Sequence, residues 1–342
     1  AVMVERPSGH RSGLVRTDGD PAQGWVASPL ANTGLAWHCR VWNTRSTMAM
    51  PDGGSTSSEL DIAGIAADMR LRAAAFIVTL YGDAVAPRGG EVWIGTIIET
   101  CARVGISETL VRTAVSRLVA ARQLEGRRRG RRSFYRLTDG ARTDFDVAAA
   151  LIYGPPDNCD WRFTWLGEGQ DDTMARLEQL GHVRLRPGMT VGPARGPVPA
   201  GMVVFDAAPE GAEARLAEMA QDLWTLEPHA QAYRALIDRF HPALAQVDHL
   251  GEAQALSLRL LLVHAWRQAL LRDPRLPAKA LPDDWPGHAA RNMFAALYAA
   301  LCPKAESHIA QHFQGCDGVL TPTLPNLIRR RLETLKKPGI SQ

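Results

Sequence analysis

Apolar positions show helical spacing only from about residue 59 onward; the first fifty-odd residues carry neither helical nor strand periodicity. Residues 69–81 (MRLRAAAFIVTLY) predict a strongly apolar helix. GEVWIGTIIETCARVG predicts a short strand at Val92–Ile94 and then a helix stopped at Gly105. A second helix runs from Ser107 to about Gln123, with Ser107 as N-cap and Glu108 in the first turn, where the helix dipole favours a carboxylate. After it, LEGRRRGRRSFYRLT predicts two short strands around a turn at Arg129–Gly130.

Further along, WRFTWL reads as a strand, DDTMARLEQLG as an amphipathic helix, HVRLRPGMTVG and GMVVFDA as strands, and GAEARLAEMAQDLWTL as a helix. That β-α-β-β-α order is most of a ferredoxin-like sandwich. Residues 227–315 are helical with Pro-rich breaks such as RDPRLPAKALPDDWPG. The expected fold class is therefore α+β and multidomain. The expected parts are a winged helix-turn-helix over 59–145, a ferredoxin-like middle domain over 146–226 and a helical C-terminal domain over 227–318. Residues 1–58 are expected to be disordered or an upstream extension, and 319–342 a basic, frayed tail.

Composition narrows the classes. A length of 342 residues allows two or three domains. No stretch reaches the run of apolar residues that a membrane span needs, and the N-terminal residues lack a signal-peptide core, so a cytoplasmic location without membrane contact is expected. The five cysteines are scattered and never form a CxxC pair, which argues against a disulfide framework or a zinc finger. His229, His241, His249 and His264 lack an HExxH pattern, and neither metal nor cofactor is expected. GxSxG, GxGxxG and Walker patterns are absent, and Asp171–Asp172 reads as a helix N-terminus, so no catalytic residues are assigned.

The helix from Ser107 carries the chemistry. Leu110, Val111, Ala114, Val115, Leu118 and Val119 form one apolar stripe. Opposite it lie Thr109, Arg112, Thr113, Ser116 and Arg117, small hydroxyls and guanidiniums suited to a DNA major groove. An ordinary amphipathic surface helix would show the same pattern, and the hairpin that follows is what separates the two. Arg122, Arg127, Arg128, Arg129, Arg131, Arg132 and Arg136 stand there against the single acid Glu125. So many like charges repel one another unless an anionic partner takes them. Arg127, Arg128, Arg129, Arg131 and Arg132 are the candidates for phosphate or minor-groove contact, with Arg112, Thr113, Ser116 and Arg117 facing the major groove and Ser107 and Thr109 also counted as DNA-binding.

VTLYGDAVAPRGGEVWIGTIIE, followed by GISETLVRTAVSRLVAARQLEGRRRGRRSFYRLT, strongly resembles the PaaX family of phenylacetate-degradation repressors. The resemblance runs through WRFTWL to RDPRLPAKALPDDWPG, roughly residues 60–310. It implies the three-part architecture above, repression of an aromatic catabolic operon, a homodimer on palindromic double-stranded operator DNA, and release by an acyl-CoA effector, phenylacetyl-CoA. Dimerisation has its own rationale, because two half-sites roughly square the discrimination of one.

A CoA thioester asks for cations and for apolar or aromatic surface. Trp266, Arg267, Arg272, Arg275, Lys279 and Trp285 near the Pro-rich block are one candidate set, and Trp161, Arg162 and Trp165 are a second. The first set reads more readily as a rigid loop fixed by Trp285 and the prolines, with Arg267 and Arg272 as surface charges. The second reads just as easily as a sheet core with one outward arginine. The middle domain is also similar to the fold of a CRISPR-associated nuclease whose first strand ends in a metal-binding Asp. This strand ends in Leu166-Gly167-Glu168, which sets a nuclease aside. A nucleic-acid-binding architectural protein without an effector, and a CoA-dependent enzyme, remain as alternatives.

Overall fold

The computed structural model describes residues 60–156, 159–167, 171–197, 201–211, 213–320 and 325–335. The expected N-terminal extension lies outside the described residues, and so does Glu168. The chain mixes helices with small antiparallel sheets.

Helix α1 (Ile62–Asp68) is capped by the Asp61 carboxylate, which accepts from the Gly64 amide. The chain then breaks at Arg70, where φ is +45°, so α2 starts at Ala73 rather than at residue 69 and runs to Leu80. It continues through a wider π-helical turn, Tyr81–Val85, and a tight 3₁₀ turn, Ala86–Arg88. Strand β1 (Glu91–Trp93) leads into α3 (Ile94–Ala102), which buries Ile94, Ile97 and Cys101 along one face. Gly105, at φ +81°, reverses the chain into α4 (Glu108–Ala120). Ser107 caps α4 by accepting from the Leu110 amide. Strands β2 (Leu124–Arg129) and β3 (Arg132–Leu137) form a hairpin, and β1 joins it in the order β1-β3-β2. The register pairs Arg129 with Arg132, so Gly130 and Arg131 are the tip. Gly130 sits at φ +59°, as a two-residue hairpin loop beginning on glycine requires. Helix α5 (Asp139–Tyr153) then leaves the sheet.

A second sheet is built from β4 (Trp161–Trp165), β5 (Val183–Arg186), β6 (Met189–Pro193) and β7 (Val203–Ala207), in the order β5-β6-β4-β7 with antiparallel neighbours. Helix α6 (Asp171–Gln179) crosses between β4 and β5, and α7 (Glu213–Leu223) follows β7. HVRLRPGMTVG, expected to be one strand, is a hairpin that turns at Pro187-Gly188, because Gly188 takes a φ of +72°. Among the described residues no helix links β6 to β7.

His182, just before β5, is buried with its Nδ1 3.3 Å from the Thr190 hydroxyl. Burial first, then the Arg162 charge, lowers its pKa to about 4. The unfolded chain therefore takes up a proton near pH 6.5 that the folded chain refuses. Stability is expected to fall by up to about 3 kcal/mol as pH drops from 6.5 towards 4. His182→Gln should flatten that slope in urea titrations, and an unchanged slope would sink this account of His182.

The remaining helices are α8 (Glu227–Phe240), α9 (Glu252–Leu270) and α10 (Gly287–His312). After them come a short hairpin of β8 (Gln314–Gly315) and β9 (Gly318–Val319), and α11 (Pro325–Leu335). Helix α9 is buried around almost its whole circumference, which explains why LSLRLLLVHAW lacks a polar stripe. The expected frayed tail thus contains a helix. Its Arg331 reaches the interior, where Nη2 donates to the Gly82 carbonyl at 3.1 Å.

One buried ionic cluster joins these parts. Asp83, in the π-helical turn after α2, is fully buried and pairs with Arg259 of α9 at 2.9 Å and Arg331 at 3.6 Å. The hydroxyls of Tyr153 and Tyr298 donate to its Oδ1 at 2.8 and 3.0 Å. Arg259 also pairs with Glu306 of α10 at 2.8 Å, and Glu306 in turn holds Arg88. The run YGD…PRGG therefore supplies two charges, Asp83 and Arg88, that lock α2 to the C-terminal helices.

Candidate nucleic-acid interface

Helix α4 packs Val111, Ala114, Val115 and Leu118 into the core against α2 and α3. Thr109, Arg112, Thr113, Ser116 and Arg117 are all exposed, as the spacing predicts. Leu110 and Val119, placed on the buried stripe by spacing alone, stay 56% and 37% exposed. Leu110 shares its face with Thr113 and Arg117 at i+3 and i+7, so an apolar contact belongs to the polar face that sequence reasoning missed. An exposed leucine there suits a thymine methyl. Two of the polar groups are engaged internally. Arg112 pairs with Glu108 at 2.7 Å one turn back, and the Thr113 hydroxyl donates to the Thr109 carbonyl at 2.9 Å. Arg117 has no ion-pair partner among the described residues.

The hairpin β2–β3 is exposed from Glu125 to Arg132. Its arginines divide into two groups. Arg127 forks onto Glu91 of β1 with contacts of 2.7 and 2.8 Å. Arg129 bonds the Cys316 carbonyl at 2.7 Å and the Asp317 carboxylate at 2.8 Å, both at the tip of the β8–β9 hairpin. Arg128 donates to the Gly130 carbonyl at 3.2 Å, and Arg132 lies 4.8 Å over the Trp93 ring. Arg131 occupies the tip without an ion-pair partner among the described residues. Among the described residues, Arg117, Arg128, Arg131 and Arg132 thus present cations without a carboxylate. The β8–β9 contact had no signal in the sequence, since Asp317 lies far along the chain from Arg129.

A family model described as PaaX-like protein matches residues 72–141, which spans α2 to the start of α5. Another, described as PaaX-like protein C-terminal domain, matches residues 224–311. Over 260 residues the chain is 31% identical to "Transcriptional repressor PaaX" of Escherichia coli (strain K12), covering 69% of this chain and 82% of that protein. The chain belongs to the PaaX-like family. The resemblance carried by YGD…PRGGEVW and DPRLP…LPDDWPG is thereby borne out. The chain is also similar to the solved structure of an uncharacterized protein from Mycobacterium tuberculosis, at 22% identity and a TM-score of 0.41, covering 62% of this chain and 89% of that one. That likeness is too slight to bear on the fold.

In this PaaX-like chain the residues proposed from sequence for an effector do not form one cluster. Trp266 lies in the core, stacked on Phe294 with ring centres 5.1 Å apart, and its indole donates to the Ile152 carbonyl at 3.1 Å. Trp285 packs edge-on against Tyr233. Arg267, Arg272 and Arg275 instead line one cavity of about 140 Å³ between α2, α5 and α9. Arg267, which also read as a surface charge, is only 6% exposed. Burial lowers its pKa to about 10, so it stays protonated at neutral pH. In the second candidate set, Trp161 packs on Trp224, Arg162 forks onto Asp206 at 2.7 and 2.8 Å, and Trp165 is exposed. Among the described residues no group of His, Cys, Asp and Glu has the makings of a metal site, and no helix is long and apolar enough to cross a membrane.

Proposed function

We propose that this PaaX-like chain is a transcriptional repressor of an aromatic, phenylacetate-type catabolic operon, a regulator and not an enzyme. The DNA-binding part is a winged helix: α2 and α3 support α4 as the recognition helix, and β2–β3 is the wing. Helix α4 enters the major groove with Arg117 reading a base, flanked by Ser107, Thr109, Leu110, Arg112, Thr113 and Ser116. The wing arginines hold backbone phosphates or the minor groove. The observation that carries the reading is the pairing of an exposed α4 face, bearing Arg117, with an exposed hairpin bearing Arg128, Arg131 and Arg132, none of them paired to a carboxylate among the described residues. The matched relative's name, a transcriptional repressor, supports it.

The sheet order β5-β6-β4-β7 supports reading the middle segment as a ferredoxin-like variant without a second crossover helix among the described residues. The protein acts as a homodimer, since one winged helix reads only a few base pairs. An acyl-CoA such as phenylacetyl-CoA releases it from its operator. To do so the effector must favour the non-binding geometry by several kcal/mol.

Arg117→Ala separates readout from attraction. It is expected to cost about 1–3 kcal/mol on the operator and to relax the preference at one base position, with little change on random DNA. Competition titrations over operator variants read this out. An equal loss on operator and random duplexes would remove Arg117 from base recognition.

A further inference from the structure

The cavity between α2, α5 and α9 holds an unusual charge. Arg267 projects from α9 into it, buried, with no carboxylate within ion-pairing distance among the described residues. One of its amino groups donates to the Ala75 carbonyl at 3.2 Å, while its Nε has no hydrogen-bond partner among the described residues. A buried guanidinium in this state bears most of its desolvation cost uncompensated. A second polar atom in the same wall, Gln123 Oε1, is buried and also unpartnered. Much of the rest of the wall is apolar, with Val78 of α2, Phe145, Ala148 and Ile152 of α5, and Leu271.

We propose that this cavity is a binding site for a small organic acid, a single ring or short chain carrying one carboxylate, with the anion paired to Arg267. The size follows from the volume: an engineered apolar cavity of about 150 Å³ takes up benzene, and this one measures about 140 Å³. The charge follows from Arg267, because a carboxylate is the group that supplies both missing hydrogen-bond acceptance and missing negative charge in a planar fork. Arg272 and Arg275, on the chain that follows α9, also line the cavity, as do Asp83, which is paired with Arg259 and Arg331, Asp273, which accepts from the Tyr233 hydroxyl, and Asp144.

The position matters as much as the chemistry. Gln123 is the joint between α4 and β2: its amide donates to the Leu118 carbonyl, and its own carbonyl accepts from Thr138 at the end of β3. Thr79, one residue beyond Val78 on α2, contacts His264 Nδ1 at 2.9 Å, and His264 meets Gln268 of the same wall. A ligand in the cavity touches the helix that supports α4 and the residue that links α4 to the hairpin. The site stands apart from the repressor reading, since it rests on the cavity alone.

Calorimetric titration of the full chain, without DNA, tests it with phenylacetate, its neutral isostere phenylacetamide, and phenylacetyl-CoA. Phenylacetate is expected to bind saturably and at least tenfold more tightly than the amide. Arg267→Met should erase that difference, and Arg267→Lys should keep part of it. Ala148→Leu, which fills the cavity and leaves the arginine in place, should abolish binding of both acid and amide. The assignment is overturned by equal binding of acid and amide. It is overturned equally if Arg267→Met and Ala148→Leu leave the acid's affinity unchanged, or if only the thioester binds. Operator binding by the same variants is scored separately, so failure of the repressor reading and failure of this site give different results.

Discussion

Asp83→Ala is expected to remove about 3–5 kcal/mol of unfolding free energy, the usual cost of breaking a buried ion pair from one side. Arg259 is fully buried and would keep, among the described residues, only the Glu306 carboxylate. Arg331 would lose its carboxylate, and the hydroxyls of Tyr153 and Tyr298 would lose their acceptor. Urea denaturation should show a lower midpoint with an unchanged slope. A change below about 1 kcal/mol would mean that the cluster is not what locks α2 to α9. The pH dependence has a definite sign. Burial pushes the Asp83 carboxyl up, but Arg259 foremost, then Arg331 and the two tyrosines, hold it below its ordinary range. Its contribution is therefore complete above the unfolded pKa of about 3.9 and is lost as pH falls through the lower folded value.

The second large effect is on DNA. Replacing Arg128, Arg131 and Arg132 together by alanine should weaken binding to every duplex by on the order of a hundredfold at about 0.1 M salt. The slope of log K against log salt should fall by roughly 0.9 for each phosphate that is no longer neutralised, about 2.7 for three. All three side chains are exposed, so stability should hold and the weakening can be assigned to binding. Arg127 and Arg129 are expected to contribute less, because Glu91 and Asp317 already neutralise them. An unchanged salt slope in the triple variant would show that the hairpin does not meet phosphates.

Local pattern made α3, α4 and the β2–β3 hairpin legible. The N-cap at Ser107, the stop at Gly105 and the hairpin around Gly130 are each set by neighbours within a few residues, and the structure keeps them. The errors lie where distant chain decides. Leu110 satisfies the periodicity of a buried stripe, yet no element covers that end of α4 among the described residues. The helix expected at residue 69 begins at Ala73 because α1 precedes it and Arg70 turns the chain. Arg259 and Arg331 look like surface charges in sequence, one inside an apolar run and one in a basic tail. Their partner Asp83 is more than 170 residues away, and only the fold brings the three together. The same holds for Arg267, whose environment combines α2, α5 and α9.

The central claim is sequence-specific binding of operator DNA by α4 and the hairpin, relieved by a thioester. A titration of the full chain onto DNA from upstream of its neighbouring catabolic genes, against random duplex of equal length and at fixed salt, tests it most directly. The account predicts binding at least about a thousandfold tighter to the upstream fragment, in the range usual for specific regulators, and collapse of that preference on adding phenylacetyl-CoA. Equal affinity for both duplexes, with or without the thioester, would contradict it and leave a protein that binds DNA by charge alone.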